Sequence, residues 1–520
     1  MDYELLAHVH YDSLDPFAPG LHIPSRWSRP PLHLPGACSS PMTSSRFPRT
    51  TIEGYLLFIL LLLQATPPAW SADRHQIFLE LHASEVGEAQ SGLNLDVVKS
   101  IVAYNRPLHD RNPEWIEEKL RRLAEGPWEF YRGTAHLFYE ILRDRDSVQV
   151  RSYDPGPGHE IIIHGDLHLG NLGTCEDGRG KIRFDLQDFD EATRGPWVAD
   201  LLRAATSIAV SAIGSPGDSK RSRREVESLV QSYVESLKKL RAGEISPDYS
   251  LKESEAPAPL DDLLHRIKGL HRKDHLRDRS QVKDGHREFR RTDRFSDVPP
   301  ERCEALRRAL RGYVHRMSLS GAFSADYFRA SDIVRKKSNG MGSLGVENFL
   351  VLVAGPSDDP DDDVILELKE QLVPSRDRVY RRRPFDENGG RRAALAQTAL
   401  QSFPDRFLGW VQEETHDYLV KEDSGFEESL DPTSIRKPNQ RLSVFEVVGL
   451  LMAKGHFRQD RFEGELGLES GISDRILAAI GDQSVFLTNI TEEALGLAAL
   501  IGDAFQDYRD SPLAEGRWPE

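Results

Sequence analysis

Between Ile161 and Ala205 the chain reads IIIHGDLHLGNLGTCEDGRGKIRFDLQDFDEATRGPWVADLLRAA. Two short apolar runs, Ile161–Ile163 and Lys181–Leu186, each lead into a polar loop that carries acidic residues. Runs of that length beside glycine turns suit buried strands better than helices. CEDGRG between them reads as a hairpin turn. A hairpin that returns the chain brings Asp188 back toward Asn171, five residues after Asp166. The stretch therefore calls for a fold in which neighbouring β-loops present carboxylates and an amide to one cavity. Gly195-Pro196 then breaks the chain before a helix over roughly 198–210.

Asp, Asn and Asp in this order suit metal-assisted phosphoryl transfer. Asp166 would orient or deprotonate an acceptor hydroxyl, while Asn171 and Asp188 supply hard oxygen ligands for Mg²⁺ on nucleotide phosphates. Asp190 is a further ligand candidate, and Asp200 can brace the loop through hydrogen bonds. Two other readings stay open. His164-x-Asp166-x-His168 can belong to a metallohydrolase, with His136 or His159 as added ligands, although no matching spacing supports it. The acids can also simply cap turns.

A second motif is Gly340-x-Gly342-x-x-Gly345. The residues after it, Val346 to Val353, are apolar and β-branched, so the context is strand–loop–strand rather than strand–helix. Glycines there let backbone amides approach phosphates. Lys369 follows on an alternating strand, VILELKEQ, and can reach α- and β-phosphates. Arg132, in FYRGTAHLFY, is either a buried partner of a carboxylate or a phosphate contact; Arg458 and Asp460 pose the same choice.

Apolar spacing predicts helices over 96–104, 113–123, the segment after Gly126-Pro127, 220–240, 390–403, 443–456 and 492–508. Strands are expected in DIVRKKS (332–338), VENFLVLVAG (346–355) and VILELKEQ (364–371), and in FLGWVQEE and HDYLVKED. From Glu253 to Pro300 the composition shifts to a linker and then to a stretch dense in His, Arg and Lys. That stretch reads as solvated helix and loops, or as a basic face for an anionic substrate.

The formal charge of −16 over 520 residues disfavours non-specific binding to nucleic acid, whose phosphates it repels. Cys38, Cys175 and Cys303 form neither a disulfide framework nor a zinc pattern, though one Cys175–Cys303 bridge is open. Residues 42–71 have a basic flank, a short apolar run from Tyr55 to Leu63 and small residues before Ala72, the layout of a secretory signal peptide. The run is short of the roughly 20 residues a membrane span needs. Synthesis is then expected to start at Met42, with 1–41 outside the mature chain, and the protein to be secreted or periplasmic.

Taken together, FYRGTA, HGDLHLGNLG, FDLQDFDEATRGPWVADLLR, GMGSLGVENFLVLV, ILELKEQ and FLGWV resemble the bacterial family called domain of unknown function 2252, from about Asn105 to the C-terminus. HGDLHLGN and DFDEA are more distantly similar to the catalytic and metal loops of aminoglycoside and choline kinase-like phosphotransferases. That resemblance implies Asp166 as catalytic residue, Asn171 and Asp188 as metal ligands, and Lys369 as the phosphate-binding lysine, with ATP or another nucleotide and Mg²⁺ as cofactors. It implies a two-lobed α+β protein-kinase-like fold, circularly permuted because the catalytic loop precedes the glycine loop. Residues 72–330 and 426–520 would build the large lobe and 331–425 the small β-rich one. Where those kinases place a Glu partner for the lysine, the helix here offers Gln397 and Gln401, leaving Glu370 or Glu387 by less regular geometry. The expected activity is phosphoryl or nucleotidyl transfer to a small molecule or protein; the alternative is a nucleotide- or anion-binding pseudokinase.

Overall fold

The computed structural model describes residues 95–519, apart from 146–150, 154–158, 214–217, 320–327, 338–339, 343, 356, 358 and 463–465. Residues 1–41 and the signal peptide expected at 42–71 lie outside the described residues. The fold is mixed α+β, with fourteen α-helices among the described residues and four antiparallel sheets.

The first helix, α1 (Val97–His109), starts at Asp96, whose carboxylate accepts the Lys99 N–H, and continues past Tyr104 through Pro107. Helix α2 (Pro113–Leu123) opens on proline at its first turn, where the missing N–H costs nothing. The single helix expected after Gly126-Pro127 is two, α3 (Pro127–Gly133) and α4 (Ala135–Arg145). Thr134 breaks them with a non-helical backbone and donates its hydroxyl to the Phe130 carbonyl.

Next come β1 (Ile161–Ile163), β2 (Leu172–Glu176), β3 (Ile182–Leu186) and β4 (Thr193–Gly195). The pairing differs from expectation. CEDGRG turns between β2 and β3, whereas β1 pairs with β4. A three-residue, wholly apolar strand has no alternation from which a partner can be read. Helices α5 (Trp197–Val210) and α6 (Asp218–Arg241) follow.

The stretch from 253 to 300 is structured. It forms α7 (Leu260–Lys268), α8 (Arg272–Arg279), the hairpin β5 (Ser280–Lys283) and β6 (His286–Phe289), and β7 (Phe295–Asp297). Its cations are largely spent on acids. Arg272 binds Glu422 and Glu176, Arg279 binds Asp423, Arg287 binds Asp361, and Arg291 binds Asp332. The stretch thus holds its neighbours in place rather than presenting an open basic face.

After α9 (Pro300–Leu319) come β8 (Ala330–Lys336), β9 (Asn348–Val353), β10 (Val364–Glu370), α10 (Ser375–Tyr380), α11 (Gly389–Leu400), β11 (Gly409–Glu413), β12 (His416–Glu422) and β13 (Glu428–Ser429). One six-stranded sheet runs β11-β12-β10-β9-β8-β7. Its apolar face, with Val351, Leu366 and Val420, packs on Leu306, Leu310 and Tyr313 of α9. The chain closes with α12 (Pro438–Arg458), α13 (Ile472–Ile480) and α14 (Gln483–Arg509).

The larger core gathers α5, α6, α12 and α14 around residues such as Ile208, Val230, Val448 and Ile490. Helix α14 is long and apolar enough to cross a membrane by length and composition. Here Phe486, Ile490, Leu497 and Ile501 are buried in that core instead. Two buried ion pairs cross it: Lys454 with Asp185 at 2.6 Å and Arg441 with Glu225 at 2.6 Å. Cys175 and Cys303 are free thiols, so the bridge between them is not formed.

Candidate functional site

The β1–α5 region builds the floor of a cleft. The His164-Gly165 turn is fixed by Asp200 on α5. Its two carboxylate oxygens accept the His164 N–H at 2.7 Å and the Gly165 N–H at 3.0 Å. The Tyr139 hydroxyl donates to the Gly165 carbonyl. Gly165 has φ +80, and a Cβ there would stand 2.0 Å from the Glu191 carbonyl oxygen, so no side chain fits. The bracing expected of Asp200 is present in this geometry.

Asp166 emerges from that turn. Arg203, wholly buried on α5, sends its Nε to Asp166 Oδ1 at 2.9 Å and stacks 3.7 Å above the Tyr131 ring. Burial pushes the Asp166 carboxyl up to about 7, with Arg203 opposing. Asn171 donates its amide N–H to the Asp166 carbonyl at 2.8 Å, and its own carbonyl accepts the Gln187 N–H at 2.8 Å. That second bond closes the open end of the β2–β3 hairpin and brings Asp188 beside the Asn171 loop.

Asp188 adopts φ +59, and its side chain is 43 % exposed. Lys369 reaches across from β10, its Nζ lying 2.9 Å from Asp188 Oδ1 and 2.6 Å from Asp190 Oδ2. Partial desolvation would raise Asp188, but the Lys369 ammonium holds it below the ordinary carboxylate range. Asp190 goes the other way: desolvation and the Asp188 charge push it up to about 6. Desolvation opposes the Lys369 charge, yet the two carboxylates keep its pKa above the ordinary lysine value. The Gln371 side chain donates to Asp190 at 2.6 Å, and the buried Arg392 guanidinium donates to the Asp190 and Ala192 carbonyls. The DFDEA loop is thereby fixed from both sides.

The cleft takes in Arg132, Asp166, Asn171, Asp188, Asp190 and Gly342 and opens to solvent. Lys369 faces a neighbouring cavity that shares the Asp188 and Asp190 walls. Arg132 comes from α3, its guanidinium 5.8 Å from the Trp128 ring and its Nε buried without a hydrogen-bond partner. The glycine loop joins the antiparallel pair β8 and β9, as the sequence context implies. A Cβ at Gly340 or Gly342 would meet nothing within 4 Å, so their backbone is open to approach. Gly345 is different: with φ +99, a Cβ there would stand 2.7 Å from Ile116 Cδ1 and 3.3 Å from Leu108 Cβ. That loop therefore rests on α1 and α2.

Other candidates fall elsewhere. Gln397 bonds Gln401, which donates to the Leu186 carbonyl. Glu370 makes a two-pronged pair with Arg111 at 2.8 and 2.9 Å, and Glu387 lies 4.0 Å from Arg383. Arg458 pairs with Asp248, and Asp460 accepts from Ser473. The histidines do not converge on a metal. His164 bonds the Gln187 carbonyl, His136 stacks on Tyr104, His159 pairs with Glu469, and His168 stands 3.6 Å from Asp166. Among the described residues no group of three or more His, Cys, Asp or Glu is arranged to hold a metal.

Among the site residues that escaped the sequence reading are Arg203, Arg392 and Lys119, the last lining the cleft from α2. Arg203 left a signal, as the lone cation in the mostly apolar run VADLLRAATSIAV, whose one other charge is Asp200. Lys119 left none among the neighbouring charges of α2.

The model of the family described as "Uncharacterized protein conserved in bacteria (DUF2252)" matches residues 111–511. No curated protein and no solved structure matches the chain.

Proposed function

The chain belongs to this bacterial family, and from that premise we propose that it is a magnesium-dependent transferase with a circularly permuted, protein-kinase-like fold. It would move a phosphoryl or nucleotidyl group from ATP or another nucleotide to a small-molecule or protein acceptor. The observation that carries the reading is Lys369 on Asp188 and Asp190, across 181 residues of sequence, above the Asn171 loop. Topology adds support. The glycine loop joins two neighbouring strands and Lys369 lies on the next strand of the sheet, the placement by which kinases bring backbone amides and an ammonium to the same phosphates.

The donor set suits Mg²⁺ better than a softer metal. Asp188, Asp190 and the Asn171 amide offer hard oxygens only, and Mg²⁺ takes few protein ligands and keeps several waters. The ion would neutralise charge on the nucleotide phosphates. The chain's own groups do the rest. Asp166 accepts the acceptor hydroxyl proton, and Arg203 fixes the carboxylate that receives it. Arg132 offers an unpartnered edge to a substrate oxyanion, and Gly340 and Gly342 admit the nucleotide phosphates to the backbone.

A second reading, a binding module without turnover, draws on the same contact: Lys369 is held by the metal-site carboxylates and not by a glutamate of α11. The test is transfer of labelled phosphate or nucleotide from ATP with Mg²⁺, beside nucleotide binding, for wild type and Asp188→Asn. Turnover that falls at least tenfold in the variant supports the transferase. Nucleotide binding with no transfer to any acceptor favours the module, and the absence of both defeats the two together. In this reading residues 42–71 also direct export, so N-terminal sequencing of the mature protein should begin at Ala72; an intact Met1 would rule that out.

A further inference from the structure

Around the cleft most cations are matched by carboxylates. Asp188 and Asp190 hold Lys369, Asp166 holds Arg203, and Glu370 holds Arg111. Lys119 and Arg132 line the same cleft and have no carboxylate within ion-pair distance among the described residues. Lys119 is 2 % exposed, and its Nζ donates to the Asn105 side chain at 3.1 Å. Glu191 also lines the cleft; one of its oxygens accepts the Ser375 N–H, and its charge acts on Lys119 from beyond ion-pair distance without offsetting the burial. Arg132 lies against the catalytic loop: a Cβ on Gly170 would stand 3.3 Å from its Nε. A side chain at 170 would crowd both the His168 ring and this guanidinium by a few tenths of an ångström.

A buried ammonium with one neutral partner gives up much of its hydration, and a neighbouring anion is what offsets that loss. Burial has pulled Lys119 down to about 8. A planar guanidinium with a free edge is suited to oxygens of a phosphate or carboxylate. Finding two such cations at one cavity of a chain with net charge −16 argues for a ligand of opposite sign.

We propose that Lys119 and Arg132 form an oxyanion subsite that holds a phosphate or carboxylate group of a small-molecule acceptor in the cleft they share with Asp166 and Asp188. The acceptor assignment rests on the transferase reading; the subsite does not. The acceptor is thus an anionic metabolite bearing a hydroxyl, gripped by its charge and presented to Asp166.

Inorganic phosphate is the probe. Titration calorimetry on the full chain should show phosphate binding that weakens at least tenfold in Lys119→Met and in Arg132→Met. Because Lys119 is buried, Arg132→Met carries the test if Lys119→Met does not fold. No phosphate binding, or undiminished binding in Arg132→Met, overturns the subsite. Repeating the titration with saturating non-hydrolysable ATP analogue and Mg²⁺ separates two sources of the anion. Phosphate that still binds supports the acceptor, and phosphate that is displaced assigns the subsite to the donor and overturns that part. A protein that binds phosphate but no nucleotide loses the transferase reading while the subsite stands. Acetate in place of phosphate then reports whether a carboxylate is accepted.

Discussion

Asp166→Asn is expected to lower transfer by about 10²–10⁴-fold, the range contributed by a positioned general base, while leaving nucleotide binding close to wild type. The amide keeps the shape and still accepts from Arg203, but it cannot take a proton. The pH dependence follows from the same group. Burial raises Asp166 to about 7. A base acts when ionised, so activity rises with pH through about 7 and levels above it. Rates of wild type and variant measured from pH 5.5 to 8.5 check both points. A wild-type profile flat across pH 7, or a variant as fast as wild type, removes Asp166 from the chemistry.

Asp200→Ala is expected to cost about 4 kcal/mol of stability, because two buried N–H groups lose their acceptor at roughly 1–3 kcal/mol each. Those groups belong to His164 and Gly165. The same carboxylate lies 3.3 Å from His456 Nε2, and Tyr233 bonds the other ring nitrogen. The loss therefore extends into α6 and α12. Denaturant unfolding measures it. Asp200→Asn, which keeps one acceptor oxygen, should recover part of the difference; if alanine and wild type unfold alike, the brace is unimportant.

The parts of this site that could be read from the sequence were those specified locally. HGDLHLGN and DFDEA sit at the ends of short strands, so the return of Asp188 to Asn171 needed only a hairpin. The glycine loop was legible because strand-forming residues follow Gly345. Lys369 could be placed on a strand by alternation, although its two carboxylate partners lie 181 and 179 positions upstream, beyond any local pattern. Lys119 was invisible for the opposite reason. In EWIEEKLRRL it is one charge among several, and only packing shows that it points inward while Arg121 and Arg122 face out. The basic stretch before Pro300 was half legible: Arg266 and Arg277 are exposed, as a solvated face would have them, whereas Arg272, Arg279 and Arg287 are drawn to distant acids at 361, 422 and 423. The β1 partner failed because three isoleucines in a row point nowhere in particular.

The resting of the glycine loop on α1 and α2 reaches beyond its own packing. Gly345 abuts Ile116 and Leu108, Gly133 leaves room for Met341, and the forked Arg111–Glu370 bond ties the same helical pair to the strand that carries Lys369. A shift of the first two helices would therefore be felt at once by the glycine loop and by the strand that carries Lys369.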